Sequence, residues 1–295
     1  MSFAVDHKMK SELIFLNSAD SRRIEAAEEY GALRYAQAAA KHRQGPAWEE
    51  FRGGHLVFLK KGAPVGRAHA LGFDGKITPE DVEHVERFYF ERESEAQVDV
   101  SPYADPSLFE SLNARGFQVA EFNQTLARRL KPEEEFAPAP QGVEIRRVRP
   151  DEAGAWSRML AQIFFPPEMV PQYEKFFLPW AAPEHPLSLA AFVDGKMAAG
   201  AAGLIVPEHR MAGIFGAGTL PQYRGRGIQQ AFMRERLRLG QQNGCDLAVT
   251  LTMPGTTSQR NVERAGFRVA YTKVVVKKAH PSIANAGPVQ PQYSA

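Results

Sequence analysis

The chain has 295 residues, of which 44% are hydrophobic and 24% charged, and its formal net charge is +2. This composition predicts a folded globular protein of one large or two ordinary domains and gives no reason to expect a nucleic-acid partner. The single cysteine, Cys245, excludes an internal disulfide and a cysteine-based zinc cluster, and since no segment resembles a membrane span or a signal peptide, we expect a metal-free, cytoplasmic protein with no membrane partner.

Two segments with little apolar content divide the chain. Residues 131–142 contain three prolines and three glutamates, which is typical of a linker. Residues 279–295 contain three prolines and show no periodicity, which predicts a disordered tail. The predicted domains are therefore residues 1–130 and 143–278.

The second domain contains alternating strand and helix patterns. Asp194-Gly195 is a strong turn signal and predicts a hairpin. The predicted elements are strand 143–148, a helix from 150 to about 165, a second helix 168–180, hairpin strands 187–193 and 197–206, strand 211–220, helix 228–242, strand 246–253, helix 257–265 and strand 268–277.

The first domain repeats part of this plan. A helical stretch at 107–115 is followed by Gly116-Phe117, as the helix at 257–265 is followed by Gly266-Phe267, at an offset of 150 residues. Segments 55–60 and 64–71 flank Lys61-Gly62 and resemble the hairpin of the second domain. We therefore expect two related domains.

A glycine-rich turn lies between the strand at 211–220 and the helix at 228–242. It reads Gln222-Tyr223-Arg224-Gly225-Arg226-Gly227-Ile228. The start of a helix offers free N–H groups and a positive dipole end, and glycines let an anion approach the main chain closely. No Lys-Ser/Thr pair follows, and no third glycine completes a dinucleotide fingerprint. The corresponding segment of the first domain, residues 74–79, lacks the Gly-x-Gly pattern.

The turn resembles the acyl-CoA loop of the GNAT superfamily of N-acetyltransferases, whose signature is Gln/Arg-x-x-Gly-x-Gly/Ala. Gln222, Gly225 and Gly227 occupy its three defining positions. The resemblance implies an α/β fold of α+β type, with two tandem GNAT-like domains, each a mixed, mostly antiparallel twisted sheet flanked by helices. It also implies acetyl-CoA as the acyl donor.

The cofactor-binding residues follow from the turn and the strand before it. Gly216 and Gly218 lie within a strand, where glycine marks either a β-bulge or close packing of large neighbours. In the family this strand splays from its neighbour and the pantetheine arm lies in the gap. The expected cofactor-binding residues are Gly218, Thr219, Leu220, Gln222, Arg224, Gly225, Arg226, Gly227, Ile228 and Gln229. The resemblance adds Ser258 and Asn261, although residues 256–258 equally fit a helix cap.

The candidate catalytic residues are less well defined. Many relatives have a tyrosine that protonates the leaving thiolate, and this chain has Val262 at that position. Tyr271, on the next strand, is a candidate substitute for the acid, and Glu208 is a candidate base, although its loop is more typical of a solvated hairpin turn.

The sequence therefore predicts an N-acetyltransferase that acts by direct attack of an amine on the thioester. The acceptor is a small-molecule amine or a peptide, its identity is not encoded in any motif, and a homodimer is compatible with the sequence. A non-catalytic acyl-CoA-binding or regulatory module is the alternative, and a nucleotide-phosphate binder using the same turn is a third.

Overall fold

One sheet of eleven strands runs through the described part of the chain. The computed structural model describes residues 17–41, 44–61, 63, 65–181 and 187–282, so residues 283–295 of the expected tail lie outside the described part. The strands are β1 (Ala47–Phe51), β2 (Gly54–Phe58), β3 (Ala68–His69), β4 (Ala96–Val100), β5 (Gln118–Arg129), β6 (Val143–Arg147), β7 (Leu189–Val193), β8 (Lys196–Val206), β9 (Met211–Thr219), β10 (Leu247–Thr252) and β11 (Arg268–Lys278).

Seven α-helices are found among these residues. They are α1 (Ser18–Ala40), α2 (Pro79–Phe90), α3 (Pro106–Ala114), α4 (Ala153–Phe164), α5 (Val170–Tyr173), α6 (Ile228–Gln242) and α7 (Thr257–Arg264). None of the described helices has the length and apolarity that crossing a bilayer requires. The mixed, mostly antiparallel sheet with flanking helices is the predicted fold class.

The last strand of each half lies in the sheet of the other half. The strand order is β1-β2-β3-β4-β11-β5-β10-β9-β8-β7-β6. Strand β5 pairs antiparallel with β10, β11 pairs antiparallel with β4, and β5 and β11 pair with each other. The two halves are thus joined by backbone hydrogen bonds, and the position of the boundary along the chain remains a prediction.

The two halves follow the same plan on either side of the β5–β11 pair. Helix α2 connects the parallel strands β3 and β4, as α6 connects the parallel strands β9 and β10. The amide of Phe117 donates to Leu112 O at 3.1 Å, and the amide of Phe267 donates to Val262 O at 3.3 Å. The same turn therefore recurs at the offset of 150 residues.

Alternating side chains of β8 and β9 pack against different helices. Leu204, Val206 and Met211 belong to a core that contains α1 and α4, whereas Ala201 and Ala212 pack with residues of α6. Since successive side chains of a strand point to opposite faces, α1 and α6 lie on opposite sides of this part of the sheet.

The predicted helix over residues 168–180 is instead three short pieces. A 3₁₀ turn at Pro167–Met169 leads into α5, and another covers Leu178–Ala181. Pro171 and Pro179 explain the difference, because proline has no N–H to donate to the preceding turn. The predicted linker also has a buried contact: Phe136 packs against the core beside α6.

Candidate functional site

Strand β9 contains a β-bulge at its glycines. Gly200 of β8 faces Gly218, but Ala202 faces Phe215, so β9 has one extra residue in this interval. Gly216 lies there with φ of 56°, a left-handed conformation that glycine adopts without steric cost. The structure therefore supports the bulge at Gly216, whereas at Gly218 it supports close packing, because a Cβ there would lie 2.6 Å from Ile163 Cγ2.

Strands β9 and β10 separate immediately beyond their paired ends. They pair in parallel only where residues 247–249 face residues 211–213, although β9 continues to Thr219 and β10 to Thr252. The bulge at Gly216 lies beside this gap. The structure thus has the splayed strand pair that the resemblance implied.

The glycine-rich turn ends at the first turn of α6. Gly225 and Gly227 have φ of 77° and 73°, and Gly227 is the N-cap residue of α6 with no side-chain cap. A Cβ at Gly225 would find nothing within 4 Å, and one at Gly227 would meet only Pro140 Cγ at 3.4 Å. The main chain is therefore open to an approaching group.

Among the described residues, the first amides of α6 have no hydrogen-bond acceptor. Ala231 N donates to Gly227 O, which leaves the preceding helical amides without an intrahelical acceptor. The first turn contains no acidic residue. Free N–H groups and the positive end of the helix dipole therefore make this turn a suitable seat for an anion.

Polar side chains beside the turn form hydrogen bonds with Thr219, the last residue of β9. Arg224 Nε donates to Thr219 O at 3.3 Å, and Gln229 Nε2 donates to Thr219 Oγ1 at 2.8 Å. Gln222, Arg224 and Arg226 are exposed and border the turn. The amide of Leu220 already donates to Ala198 O at 3.0 Å, so it is not free for a ligand, contrary to the expectation from the sequence.

Helix α7 closes the same gap from the other side. Thr256 is its N-cap and accepts from Gln259 N at 3.2 Å. The capping role thus falls to Thr256, and Ser258 and Asn261 are left to line a cavity beside the splayed strands. Val262 lines it as well.

This cavity, which we name the α6 cavity, has a volume of about 310 Å³. Its hydroxyl-bearing lining residues among the described part of the chain are Thr250 and Ser258. The remaining lining comes from β9, β10, α6 and α7: Ile214, Phe215, Gly216, Ala217, Gln229, Gln230, Met233, Arg236, Leu251, Asn261 and Val262.

Arg236 is a buried cation in the wall of the α6 cavity. Its Nη1 donates to Ala202 O at 3.0 Å and to Phe215 O at 3.1 Å, and both residues border the bulge. Burial lowers the pKa of its guanidinium to about 9. Sequence reasoning missed Arg236, which looks like any charged residue of an amphipathic helix.

A second cavity lies on the opposite side of the sheet, under α1. This α1 cavity has a volume of about 410 Å³. It shares five lining residues with the α6 cavity, all of them at the splayed strands: Ile214, Phe215, Gly216, Thr250 and Leu251. The two cavities therefore meet at the gap between β9 and β10.

Aromatic side chains line the α1 cavity near the gap. The Tyr35 hydroxyl donates to Phe176 O at 2.6 Å, and its ring lies 5.3 Å from that of Trp180. Trp180 in turn contacts Phe215 with ring centroids 4.6 Å apart. The segment after α4 thus contributes to a cavity wall as well as to the core.

Charged side chains, among them Glu28, Arg67 and Asp99, line part of the α1 cavity, and Glu28 contacts a buried lysine that is not part of its lining. The ammonium of Lys273, fully buried, contacts Glu28, lies 3.3 Å from Glu25 Oε2 and lies 3.6 Å from Asp99 Oδ2. Burial raises the pKa of Glu28 to about 7, and Lys273 opposes this shift. Burial also disfavours ionised Asp99, but Lys273 and Arg67 outweigh it and hold the pKa of Asp99 well below its usual range. No sequence motif indicated this cluster.

Neither predicted catalytic residue lines a cavity among those described. Tyr271 donates its hydroxyl to Glu25 Oε1 at 2.6 Å, and burial together with Glu25 raises its pKa. Glu208 lies exposed in a 3₁₀ turn before β9, at the end of the strand where β9 and β10 are paired. The structure therefore brings neither side chain to the splayed strands.

The comparisons with known proteins agree with this geometry. Residues 154–267 match the acetyltransferase (GNAT) family. No curated protein sequence matches the chain significantly. The match covers the bulged strand, the glycine turn and α7, and it confirms the resemblance read from the sequence.

Solved structures share the fold over nearly the whole chain. A GCN5-related N-acetyltransferase from Kribbella flavida is 18% identical with a TM-score of 0.58, covering 88% of this chain and 98% of that one. A tandem GNAT protein from the clavulanic acid biosynthesis pathway is 13% identical with a TM-score of 0.58, covering 95% and 99%. A GCN5-related N-acetyltransferase from Sphaerobacter thermophilus is 18% identical with a TM-score of 0.52, covering 90% and 94%. At these identities the likeness shows the fold alone.

Proposed function

We propose that this chain, whose residues 154–267 form a GNAT acetyltransferase domain, transfers an acetyl group from acetyl-CoA to the amine of a small molecule or peptide. The observation that supports this most directly is the conjunction of the splayed strands with the uncapped, glycine-lined start of α6. In the proposal, the amides at Gly225, Gly227 and the first turn of α6 bind the pyrophosphate, and the pantetheine arm follows the α6 cavity past Ser258 and Asn261.

The two cavities support a direct transfer. The acyl group would lie at the gap, where the α6 and α1 cavities share their lining. Thr219 alternates with Leu220, whose amide is bonded to β8, so the Thr219 amide points away from β8 and towards the gap. An amide in this position polarises a carbonyl as negative charge develops on its oxygen.

The proposed reaction needs no covalent enzyme intermediate. The neutral amine attacks the thioester carbonyl, the carbon–sulfur bond breaks, the thiolate leaves, and the nitrogen releases its proton to solvent. Because an ordinary thiol has a pKa of about 8.5, the thiolate is a tolerable leaving group near neutral pH without a tyrosine acid. Val262, which occupies the usual tyrosine position and lines the α6 cavity, is compatible with this route.

A binding module without catalysis is the second candidate, and Val262 is the observation that favours it. The two candidates separate in one experiment with acetyl-CoA and a panel of primary amines. The proposed transferase is stabilised by acetyl-CoA against heat and releases free thiol with some amine of the panel. Stabilisation without thiol release supports the binding module, and stabilisation by ATP or NAD but not by CoA contradicts both.

A further inference from the structure

A positive charge is buried in the wall of the α6 cavity without a negative partner. It belongs to Arg236, which is 1% exposed and forms no ion pair with a carboxylate in the described part of the chain. Arg236 is also the one charged residue among the described residues that line this cavity. Buried charges in proteins are normally paired, because an isolated charge loses the solvation that water gives it. An anion that enters the α6 cavity would therefore find a cation already in place.

The hydrogen bonds of Arg236 leave one end of its guanidinium available. Nε donates to Phe232 O at 3.3 Å, and Nη1 donates to Ala202 O and Phe215 O. Nη2 has no acceptor among the described residues, yet it is not one of the unbonded polar atoms that the fold seals off completely. Nη2 therefore keeps accessible surface, and the open space that Arg236 lines is the α6 cavity. Its two N–H groups remain for a ligand.

Arg236 lies beside the point where β9 and β10 separate. Its partner Phe215 adjoins the bulge residue Gly216, and both of these residues line the α6 and the α1 cavity. The proposed transferase holds its thioester in this place. Arg236 is too far from the glycine turn to bind the pyrophosphate, because it comes nine positions after Gly227, which is about 14 Å along the axis of α6. The anion that Arg236 faces is therefore one that forms at the acyl group.

Breakdown of the thioester produces such an anion. When an amine forms its bond to the carbonyl carbon, the electron pair of the carbon–sulfur bond passes to sulfur, which then carries a negative charge. The usual tyrosine acid is replaced by Val262, which lines the same cavity and has no proton to donate. A neighbouring arginine lowers the pKa of a thiol, so a cation at this position can take over the task of the missing acid.

We propose that Nη2 of Arg236 donates a hydrogen bond to the sulfur of coenzyme A as the thioester breaks, and so stabilises the leaving thiolate in place of a tyrosine acid. This inference rests on the acetyltransferase function proposed above and adds a catalytic residue to it. Arg236 stays protonated throughout, and the proton of the attacking amine goes to solvent, so no further reactant is needed. Burial lowers the pKa of the guanidinium to about 9, which leaves it protonated near neutral pH.

The test compares the binding of coenzyme A with that of desulfo-coenzyme A, in which a hydrogen atom replaces the thiol. Isothermal titration from about pH 6.5 to about pH 8.5 spans the ionisation of the bound thiol while Arg236 remains mainly protonated. The two ligands share every contact except that of sulfur, so other titrating groups cancel in the ratio of the two dissociation constants. A bound thiol whose pKa lies one unit below the ordinary value of about 8.5 should raise the preference of the wild type for coenzyme A about fivefold over this range.

Arg236→Met should remove this rise and leave the ratio independent of pH. Loss of the hydrogen bonds to the bulge weakens both ligands alike, so the ratio separates the contact with sulfur from the positioning of the bulge. Arg236→Lys keeps a cation and should retain part of the rise, and it provides a second variant. Arg238→Met, which breaks an ion pair with Glu235 on the same helix, is the matched control and should keep the whole rise.

A ratio that is independent of pH in the wild type, or that rises equally in Arg236→Met, would overturn the inference. If some amine releases thiol from acetyl-CoA but the wild-type ratio stays flat, the transferase function stands and the role of Arg236 fails. If no amine releases thiol, but the ratio rises in the wild type and not in Arg236→Met, the transferase function fails and the contact between Arg236 and the thiolate stands.

Discussion

Arg236 Nη1 on α6 lies 3.1 Å from the carbonyl oxygen of Phe215 on β9. The same nitrogen also reaches Ala202 O on β8, so one buried guanidinium bridges the two strands where the bulge shifts their register. A carbonyl displaced from its ladder partner needs another donor, and Arg236 supplies it. The conformation of the bulge therefore depends on a side chain of α6.

We expect Arg236→Met to weaken acetyl-CoA binding by about tenfold or more, because a hydrogen bond from a charged group contributes about 1.5–3 kcal/mol and two carbonyls would lose theirs. Arg236 acts as a positioning residue for the bulge, so Arg236→Lys should restore part of the affinity. Isothermal titration with acetyl-CoA measures both. Arg238→Met, which removes an ion pair with Glu235 farther along α6, is the control and should bind normally. An unchanged dissociation constant in folded Arg236→Met would contradict the role.

Gly225→Trp should abolish stabilisation by acetyl-CoA, since the indole would occupy the open space over the amides of the turn. Gly244→Trp is a matched control: Gly244 has φ of 76°, nothing within 4 Å of its Cβ position, and lies beyond the other end of α6. Backbone strain is thus equal in the two variants, and only the location differs. Differential scanning fluorimetry with and without acetyl-CoA distinguishes them. If acetyl-CoA raised the melting temperature of both variants equally, the result would argue against the anion seat.

Tyr271→Phe should destabilise the fold and leave kcat within about twofold. The hydroxyl satisfies Glu25 Oε1, and losing a donor to a buried charged group costs about 1–3 kcal/mol. Burial and Glu25 raise the pKa of Tyr271, so it remains protonated and is a poor acid for the leaving thiolate. Urea unfolding and steady-state kinetics measure the two effects. A large fall in kcat with unchanged stability would restore Tyr271 as the general acid.

The free energy of unfolding should depend on pH through Glu28. Its pKa is about 7 in the folded protein against an ordinary 4.5, so folding favours the protonated form. Its contribution to stability, roughly 3 kcal/mol, is complete below about pH 4.5 and is lost as pH rises through about 7. Lys273, Glu25 and Asp99 face Glu28, and all three remain when Glu28 alone is replaced.

Glu28→Gln should remove this component, so the wild type minus variant difference in unfolding free energy should fall as pH rises from 4.5 to 7. Glu235→Gln, at a surface ion pair of α6, should show no such trend. Urea titrations at a series of pH values provide the comparison. A difference that stays flat or rises with pH would show that Glu28 is already ionised at acid pH in the folded protein.

Most of the anion seat could be predicted from the sequence, because its parts are local. Gly225 and Gly227 have positive φ and open space above them, as a turn leading into a helix requires. Gly216 also has a positive φ, which glycine adopts without steric cost, and this is why a glycine within a strand can indicate a bulge. Leu220 is one of the expected cofactor-binding residues, but its amide donates to Ala198 O, and that hydrogen bond depends on a strand register that no single strand encodes.

The sequence by itself determined the elements around the glycine turn, since glycine, proline and helix-capping preferences act over a few residues. The tertiary structure alone decided the α1 cavity and its charges. Lys273 and Glu28 are 245 residues apart in the chain and meet only because β11 crosses into the sheet of the first half beneath α1. Glu28 Oε1 has no hydrogen-bond donor among the described residues because the surrounding elements exclude water, and that exclusion exists only in the assembled fold.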